Sequence, residues 1–287
     1  MNLEAMSGAA TVALVCTIVY LLIAKTWSLF SRTLTSTPAF SDRIMHEAAQ
    51  RFRDEFERLG RSQSVYLSGS LAFLILFAMA YILEAQQLFA GYPVWQLYLQ
   101  TGFLLLVAAF AFMRLCKVIV ARRQVRFVRD ANVAIGHQLQ QLASGFARVF
   151  HDVKTSAGTV DHLLVGQSGI YAINVIAARG GKRHESRLID STVQFSNKAP
   201  TVSILDINTK NARLQKEFSK LLGHGIRVRS VVAVPGWDIG SQHGENHLLV
   251  NERTLSMLSG WKDNSDYLMN EDVEILQKEL ARRCASR

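Results

Sequence analysis

The chain has 287 residues, 32 Lys plus Arg against 23 Asp plus Glu, and 49% apolar residues, with a mean hydropathy of +0.13. At roughly 100–200 residues per domain this length allows two structural units. No charge occurs between Glu4 and Lys25, between Arg61 and Glu84, or between Glu84 and Arg114; uncharged runs of about 20 residues, wound as helix, match the ~30 Å hydrocarbon slab of a bilayer, and a purely soluble protein is excluded.

The first predicted span covers residues 9–24, with Trp27 just beyond as an interface anchor. A cleaved signal peptide would need a positive n-region, but the only charge before this run is Glu4. The second span is 65–83. The third is 94–113, opened by an aromatic cluster of Tyr92, Trp95 and Tyr98. Loop charge sets the orientation. The first loop, 31–62, carries Arg32, Arg43, Arg51, Arg53, Arg58 and Arg61, whereas residues 84–93 hold no Lys or Arg. After the third span come Arg114, Lys117, Arg122, Arg123, Arg126 and Arg129. Positive loops stay cytoplasmic, so the N-terminus is expected outside, and the first loop and the C-terminal half inside, at a bacterial inner membrane. Residues 41–59 read as a polar helix with Ile44, Ala48, Phe52 and Phe56 at helical spacing. This is either an interfacial or partner-binding arm or a helix packed on its own domain. The cluster Arg122, Arg123, Arg126 and Arg129 suits phosphate, and a juxtamembrane position suits anionic headgroups at about 1 kcal/mol each.

From residue 131 the pattern alternates between helix and strand. A helix over 131–142 is followed by strands at 147–154, 160–166 and 170–177, with a Gly turn at 166–169. A helix over 208–222 places Leu214, Phe218 and Leu221 on one face. Strands at 226–235 and 247–250 and helices at 252–261 and 270–284 complete an α/β domain over 131–287. The basic excess belongs to both halves, +5 for residues 1–130 and +4 for 131–287. The three cysteines, Cys16, Cys116 and Cys284, form no CxxC pair or Cys/His cluster, so no disulfide framework or zinc site is indicated. His243 and His247, four apart, flank Gly244 and a strand, which reads as a loop rather than a metal pair. Neither a phosphate-cradling Gly motif nor a nucleophile elbow occurs.

The runs VFHDVK at 149–154, GTVDHLLVG at 158–166 and SGIYAI at 168–173, followed by NARL at 211–214, VVAV at 231–234 and LVNERTL at 249–255, resemble the nuclease-related domain family, NERD, over about residues 133–262. The resemblance implies a PD-(D/E)xK nuclease fold, a restriction-endonuclease-like mixed sheet flanked by helices. There, an Asp and a Glu on adjacent strands hold a divalent metal, and a Lys two residues beyond the Glu polarises the attacking water. Carried over by position, the Asp is Asp161, the Glu is replaced by Asn174 and the Lys by Ile176. The helix Glu falls near His137, and the Gln of the later helix near Ile207. Asn174 offers no charge and Ile176 no proton chemistry, so the domain is expected to be catalytically inactive and free of cofactor. Mg²⁺ is expected only if a carboxylate has migrated to the site, from Asp152, Glu185 or Asp190, with Lys182 as a migrated lysine. Asp161 alone could equally cap a turn.

Arg179, Lys182, Arg183 and Arg187 surround Gly180-Gly181. Such a turn could track phosphates by counterion release or simply be solvated, and no interleaved aromatic residues support base stacking. The sequence thus predicts three transmembrane helices plus an α/β domain. The expected role is binding or scaffolding at the membrane, with the bilayer, protein partners or further copies of the chain, and nucleic acid as candidate partners. The alternatives are an active membrane-tethered nuclease and a structural subunit of a membrane machine.

Overall fold

The computed structural model describes residues 3–34, 45–84, 87, 93–143, 147–180, 184–189, 191–196, 199–243, 246–261 and 266–285. It divides into two compact units, residues 1–38 with 55–124, and residues 39–54 with 125–287.

The first unit is helical. It contains α1 (Leu3–Leu34), most of α2 (Gln50–Ile82) and the first part of α3 (Val94–Leu142). Three stretches, Gly8–Trp27, Gln50–Ile82 and Tyr98–Leu142, are long and apolar enough to cross a membrane. Small residues mark the contact between helices, as bilayer packing favours: Ala9 and Ala13 are buried, and Gly69 faces the Leu21 side chain. Ile23, Leu71, Leu74, Leu105 and Leu106 stay exposed, the surface that hydrocarbon would cover. Arg122 is spent inside this unit, donating to Gln63 Oε1 at 2.7 Å and lying 4.3 Å over the Phe56 ring.

The second unit holds a five-stranded sheet in the order β1-β2-β3-β7-β9. Its strands are β1 (Arg148–Thr155), β2 (Gly158–Gly166), β3 (Gly169–Val175), β7 (Val228–Ala233) and β9 (His247–Val250). The first three strands are antiparallel neighbours, and β3, β7 and β9 run parallel. Parallel strands are covered on both faces and read as continuous apolar runs, which explains β3 and β7. On one face α4 (Leu205–Leu222) and α5 (Asn270–Arg283) contribute Leu214, Phe218, Leu276 and Leu280 to a core with Val160, Leu163, Ile170 and Val228. On the other, Ile135 and Leu139 of α3 pack on Tyr171, Ile173, Val231 and Ala233. The β2–β3 hairpin turns through two residues between Gly166 and Gly169, and Gly169 holds φ +118 against Asp266, where a side chain would be strained.

A second sheet, ordered β6-β5-β4-β8, was not expected from the sequence. It comprises β4 (Glu185–Ile189), β5 (Thr192–Phe195), β6 (Val202–Ser203) and β8 (Asp238–His243). The helix expected over 252–261 is only a 3-10 turn, Leu255–Ser259, preceded by a turn in which Asn251 Oδ1 accepts the backbone N–H groups of Arg253 and Thr254 at 3.0 and 2.8 Å. The polar helix expected over 41–59 begins at Gln50 as the start of α2; residues 41–44 lie outside the described residues.

Residues 45–54 belong to the second unit although the helical unit separates them from it in sequence. Met45 bridges Ala285, and His46 N–H donates to Cys284 O at 2.9 Å. Ala48 lies on Gly136 of α3, where an added Cβ would sit 2.6 Å from the Ala48 Cβ and 3.3 Å from His162 Cε1. Gly136→Ala should therefore cost about 1–3 kcal/mol, the usual penalty of overpacking. It should appear as a lowered melting temperature of the detergent-solubilised chain, and an unchanged melt would mean that this contact is not close.

Candidate functional site

The resemblance directs attention to β2 and β3. Asp161 sits on β2 and is 6% exposed; its Oδ2 accepts the Val175 N–H of β3 at 2.7 Å. Beside it, Asp152 of β1 is 4% exposed and adopts φ 51. Arg51 joins the two. Its guanidinium donates to Asp161 Oδ1, its Nε is 3.4 Å from Asp152 Oδ1, and its backbone N–H donates to Asp152 Oδ2 at 3.0 Å. The same guanidinium lies 4.4 Å over the Phe52 ring. Lys210 of α4 acts on Asp161 as a further positive charge, and its side chain crosses the β1–β2 turn at Gly158.

Burial pushes the Asp161 and Asp152 carboxyls above their ordinary values, against the pull of Arg51. Two carboxylates side by side in such a setting need a cation or a proton. Here the cation is an arginine of the chain itself.

Behind the carboxylates, on the α3 face, His151 and His162 meet with Nδ1 atoms 2.8 Å apart and rings at 89°. Burial lowers them to about 4 and about 3, so both are neutral at neutral pH. Gln140 Nε2 donates to His151 Nε2 at 3.2 Å, which leaves the His151 proton on Nδ1 to donate to His162. The pair is thereby a fixed internal hydrogen bond, and Gly136 gives it room.

The other positions that the resemblance singles out carry no carboxylate and no lysine. Asn174 is 4% exposed, and its Nδ2 has no hydrogen-bond partner among the described residues. Ile176 packs on the apolar cluster that contains Ile207, Val232, Val234 and Trp237, so the positions that the resemblance gives to lysine and glutamine belong to one hydrophobic cluster. His137, at the helix glutamate position, faces Gln141 on the exposed side of α3 at 3.1 Å. Of the candidate replacement carboxylates, Asp152 comes beside Asp161, whereas Glu185 pairs with Arg187 at 2.9 Å on the exposed face of β4. Asp190 and Lys182 lie outside the described residues.

A divalent cation does not fit this donor set. Mg²⁺ and Ca²⁺ take several hard oxygen ligands, but the two carboxylates already share a guanidinium and the third position is an amide. Among the described residues no group of three His, Cys, Asp or Glu side chains could hold a metal.

The basic turn is not gathered into one visible patch. Arg187 is engaged by Glu185, and Arg179 lies 5.6 Å over the Phe127 ring; Lys182 and Arg183 lie outside the described residues. Reasoning from the sequence missed Arg51 and Lys210. Arg51 counted only as loop charge, and nothing local to it signals a partner 110 residues away; Lys210 stands on the polar side of an amphipathic helix, like any solvated lysine.

A mixed sheet flanked by helices, with an acidic β2 and an amide near the end of β3, is consistent with a nuclease-like α/β fold. Residues 129–235 match the family model of the nuclease-related domain, NERD. No curated protein and no solved structure matches the chain.

Arg51→Met removes the cation and leaves two buried carboxylates facing each other. Both acids have values raised by folding, so the folded state holds protons more tightly than the unfolded one. The contribution of this pair to stability is then greatest at low pH and falls as the pH rises through the raised carboxyl range. Losing Arg51 steepens that fall. We expect a loss of roughly 2–4 kcal/mol at pH 8, the cost of orphaning a buried pair reduced because Arg51 is 39% exposed, and a much smaller loss at pH 5. Denaturant titration of wild type and variant at both pH values checks this; an equal loss at each would show that the contribution is packing and not charge.

Proposed function

We propose that this chain is a membrane-anchored nuclease-related module that has given up metal-dependent cleavage and acts by binding or scaffolding at the cytoplasmic face of a bacterial inner membrane. The observation that carries the reading is the seat of Arg51 between Asp161 and Asp152. Phosphodiester hydrolysis on this fold needs a metal to generate the nucleophile and to stabilise developing charge, and the carboxylates that would anchor it are committed to an internal ion pair. Asn174, and Ile176 packed toward Ile207, support the same reading from the other side of the site. Protein partners or a second copy suit the surface better than nucleic acid, since Arg179 and Arg187 are already engaged.

Full-length protein in detergent, with Mg²⁺ or Mn²⁺, should leave plasmid, duplex and single-stranded DNA intact. One observation favours the active-nuclease alternative: Asp152 stands beside Asp161, with Lys210 near. Cleavage that disappears in Asp161→Ala would select that alternative and overturn the first reading.

The arrangement at the membrane rests on the arginines of the loops, since positive loops remain cytoplasmic. A Cys introduced at position 60 should resist a membrane-impermeant thiol reagent in intact cells and react after lysis, provided Cys16 and Cys116 are first replaced by Ser. Labelling in intact cells would reverse the topology.

A further inference from the structure

The helical unit contains a recess between α2 and α3 that involves none of the nuclease-type positions. Its volume is about 480 Å³, within the range of roughly 300–1,000 Å³ usual for small-molecule sites. Ser62, Val65 and Tyr66 of α2 and Arg114, Lys117 and Val118 of α3 line it, and no carboxylate does. Two charge boundaries of the sequence meet here. Arg61 is the last charge before the uncharged run of α2, and Arg114 is the first after that of α3. In a bilayer the recess therefore falls where hydrocarbon gives way to headgroups. Val65 on its wall is 52% exposed, and Phe110, one turn before Arg114, is 55% exposed, apolar surface of the kind that acyl chains cover.

The polar groups of the recess are donors without an acceptor. Lys117 makes no ion pair among the described residues, and the hydroxyl of half-buried Tyr66 makes no hydrogen bond there. Arg114 lies 5.3 Å over the Phe110 ring. A helical side chain leans toward the preceding turn, and on α3 that is the apolar side, so this guanidinium is held toward hydrocarbon. The ring covers one face and leaves the N–H donors along the guanidinium edge. A cation at that depth calls for an anion. The chain does not supply one: Glu55, near the start of α2, is already paired with Arg58 at 3.6 Å. Ser62 adds no donor, because its Oγ donates to Arg58 O at 3.2 Å. Two cations and a phenol, one turn apart along α3 and facing α2, match the oxygens of a phosphate.

We propose that this recess binds the phosphate of an anionic phospholipid, held by Arg114, Lys117 and the Tyr66 hydroxyl. The lipid belongs to the leaflet on the side of the arginine-rich loops. A zwitterionic headgroup is disfavoured, since its ammonium would meet two cations and no carboxylate. The proposal rests on the membrane-anchored reading above and is independent of whether the chain cleaves DNA.

The test is titration of the delipidated full-length protein, in a neutral detergent, with phosphatidylglycerol and phosphatidylcholine, counting bound lipid by native mass spectrometry. Phosphatidylglycerol should bind saturably and about tenfold more tightly than phosphatidylcholine. Each cation near an anionic headgroup is worth about fivefold in affinity. Arg114→Gln with Lys117→Gln should therefore weaken phosphatidylglycerol about 25-fold and remove most of the preference. Tyr66→Phe should weaken both lipids about threefold, because the phosphate is common to both. The charge-matched change Arg126→Gln with Arg129→Gln should bind like wild type, since Asp130 already engages both arginines. The proposal is overturned if the two lipids bind alike, if the Arg114 and Lys117 double variant or Tyr66→Phe binds like wild type, or if the charge-matched variant loses as much. It is also overturned if water-soluble glycerol 3-phosphate displaces the lipid, which would give the recess to a free phosphate compound. Release of the chain from cell membranes by alkaline carbonate would overturn the membrane reading and this proposal with it, whereas failure of the lipid site alone leaves the chain in the membrane pellet.

Discussion

The guanidinium of Arg51 between Asp152 and Asp161 is the contact on which the α/β unit's organisation turns. Two adjacent strands each bring a carboxylate to one buried spot, and only a positive charge lets both remain ionised there. That charge comes from a segment remote in sequence, and the backbone on both sides bends to make the meeting. Ala49 takes φ 64, one residue before α2 begins, and Asp152 takes φ 51 within β1. An Asp tolerates the left-handed region, whereas an Ala there costs on the order of 1 kcal/mol. Strain of this kind persists only where the surroundings over-determine it. Gly136 and the neutral histidine pair belong to the same constraint, because they leave the space in which residues 45–49 lie.

The packing of the sheet does not depend on the nuclease-type positions. β3 and β7 are held by apolar residues on both faces, and that burial does not depend on what stands at positions 174 and 176. Ile176, at the position the resemblance gives to lysine, belongs to a cluster with Val232 and Trp237, as does Ile207 from α4. Apolar residues here gain transfer free energy of about 25 cal/mol per Å² of buried apolar surface. A polar group placed alone at such a position would be buried and unsatisfied.

The central strands and the long helices were legible in the sequence because their signals are local and strong. The apolar runs at 160–166 and 170–177 fall on β2 and β3, and the helix expected over 131–142 is the end of α3, which runs unbroken from Val94 to Leu142. The second sheet escaped because its strands are two to six residues long and half polar. β4 alternates in burial, but Glu185 and Arg187 in its sequence read as part of a basic turn. Within the site, Asp161 and the replacements at 174 and 176 were visible by position, and Asp152 was one of several carboxylates that could have moved. Which of these would meet was not legible, since pairing between β1 and β2 decides it. Arg51 could not be found at all, because a contact spanning 110 residues leaves no periodicity behind.

The bridge between Met45 and Ala285 sets an order of events during synthesis. Residues 45–54 emerge from the ribosome before the two later apolar stretches and must wait, unpaired, while those are made. The sheet that receives Arg51 follows, and the partner of Met45 comes only after the whole of that sheet and α5. Contacts of such sequence separation form late and slowly, so the counter-charge waits for β1 and β2, and Met45 waits for the end of α5. A ribosome that stalls or terminates before α5 would release a domain lacking the clasp at residues 284–285, a fault that quality-control proteases could recognise.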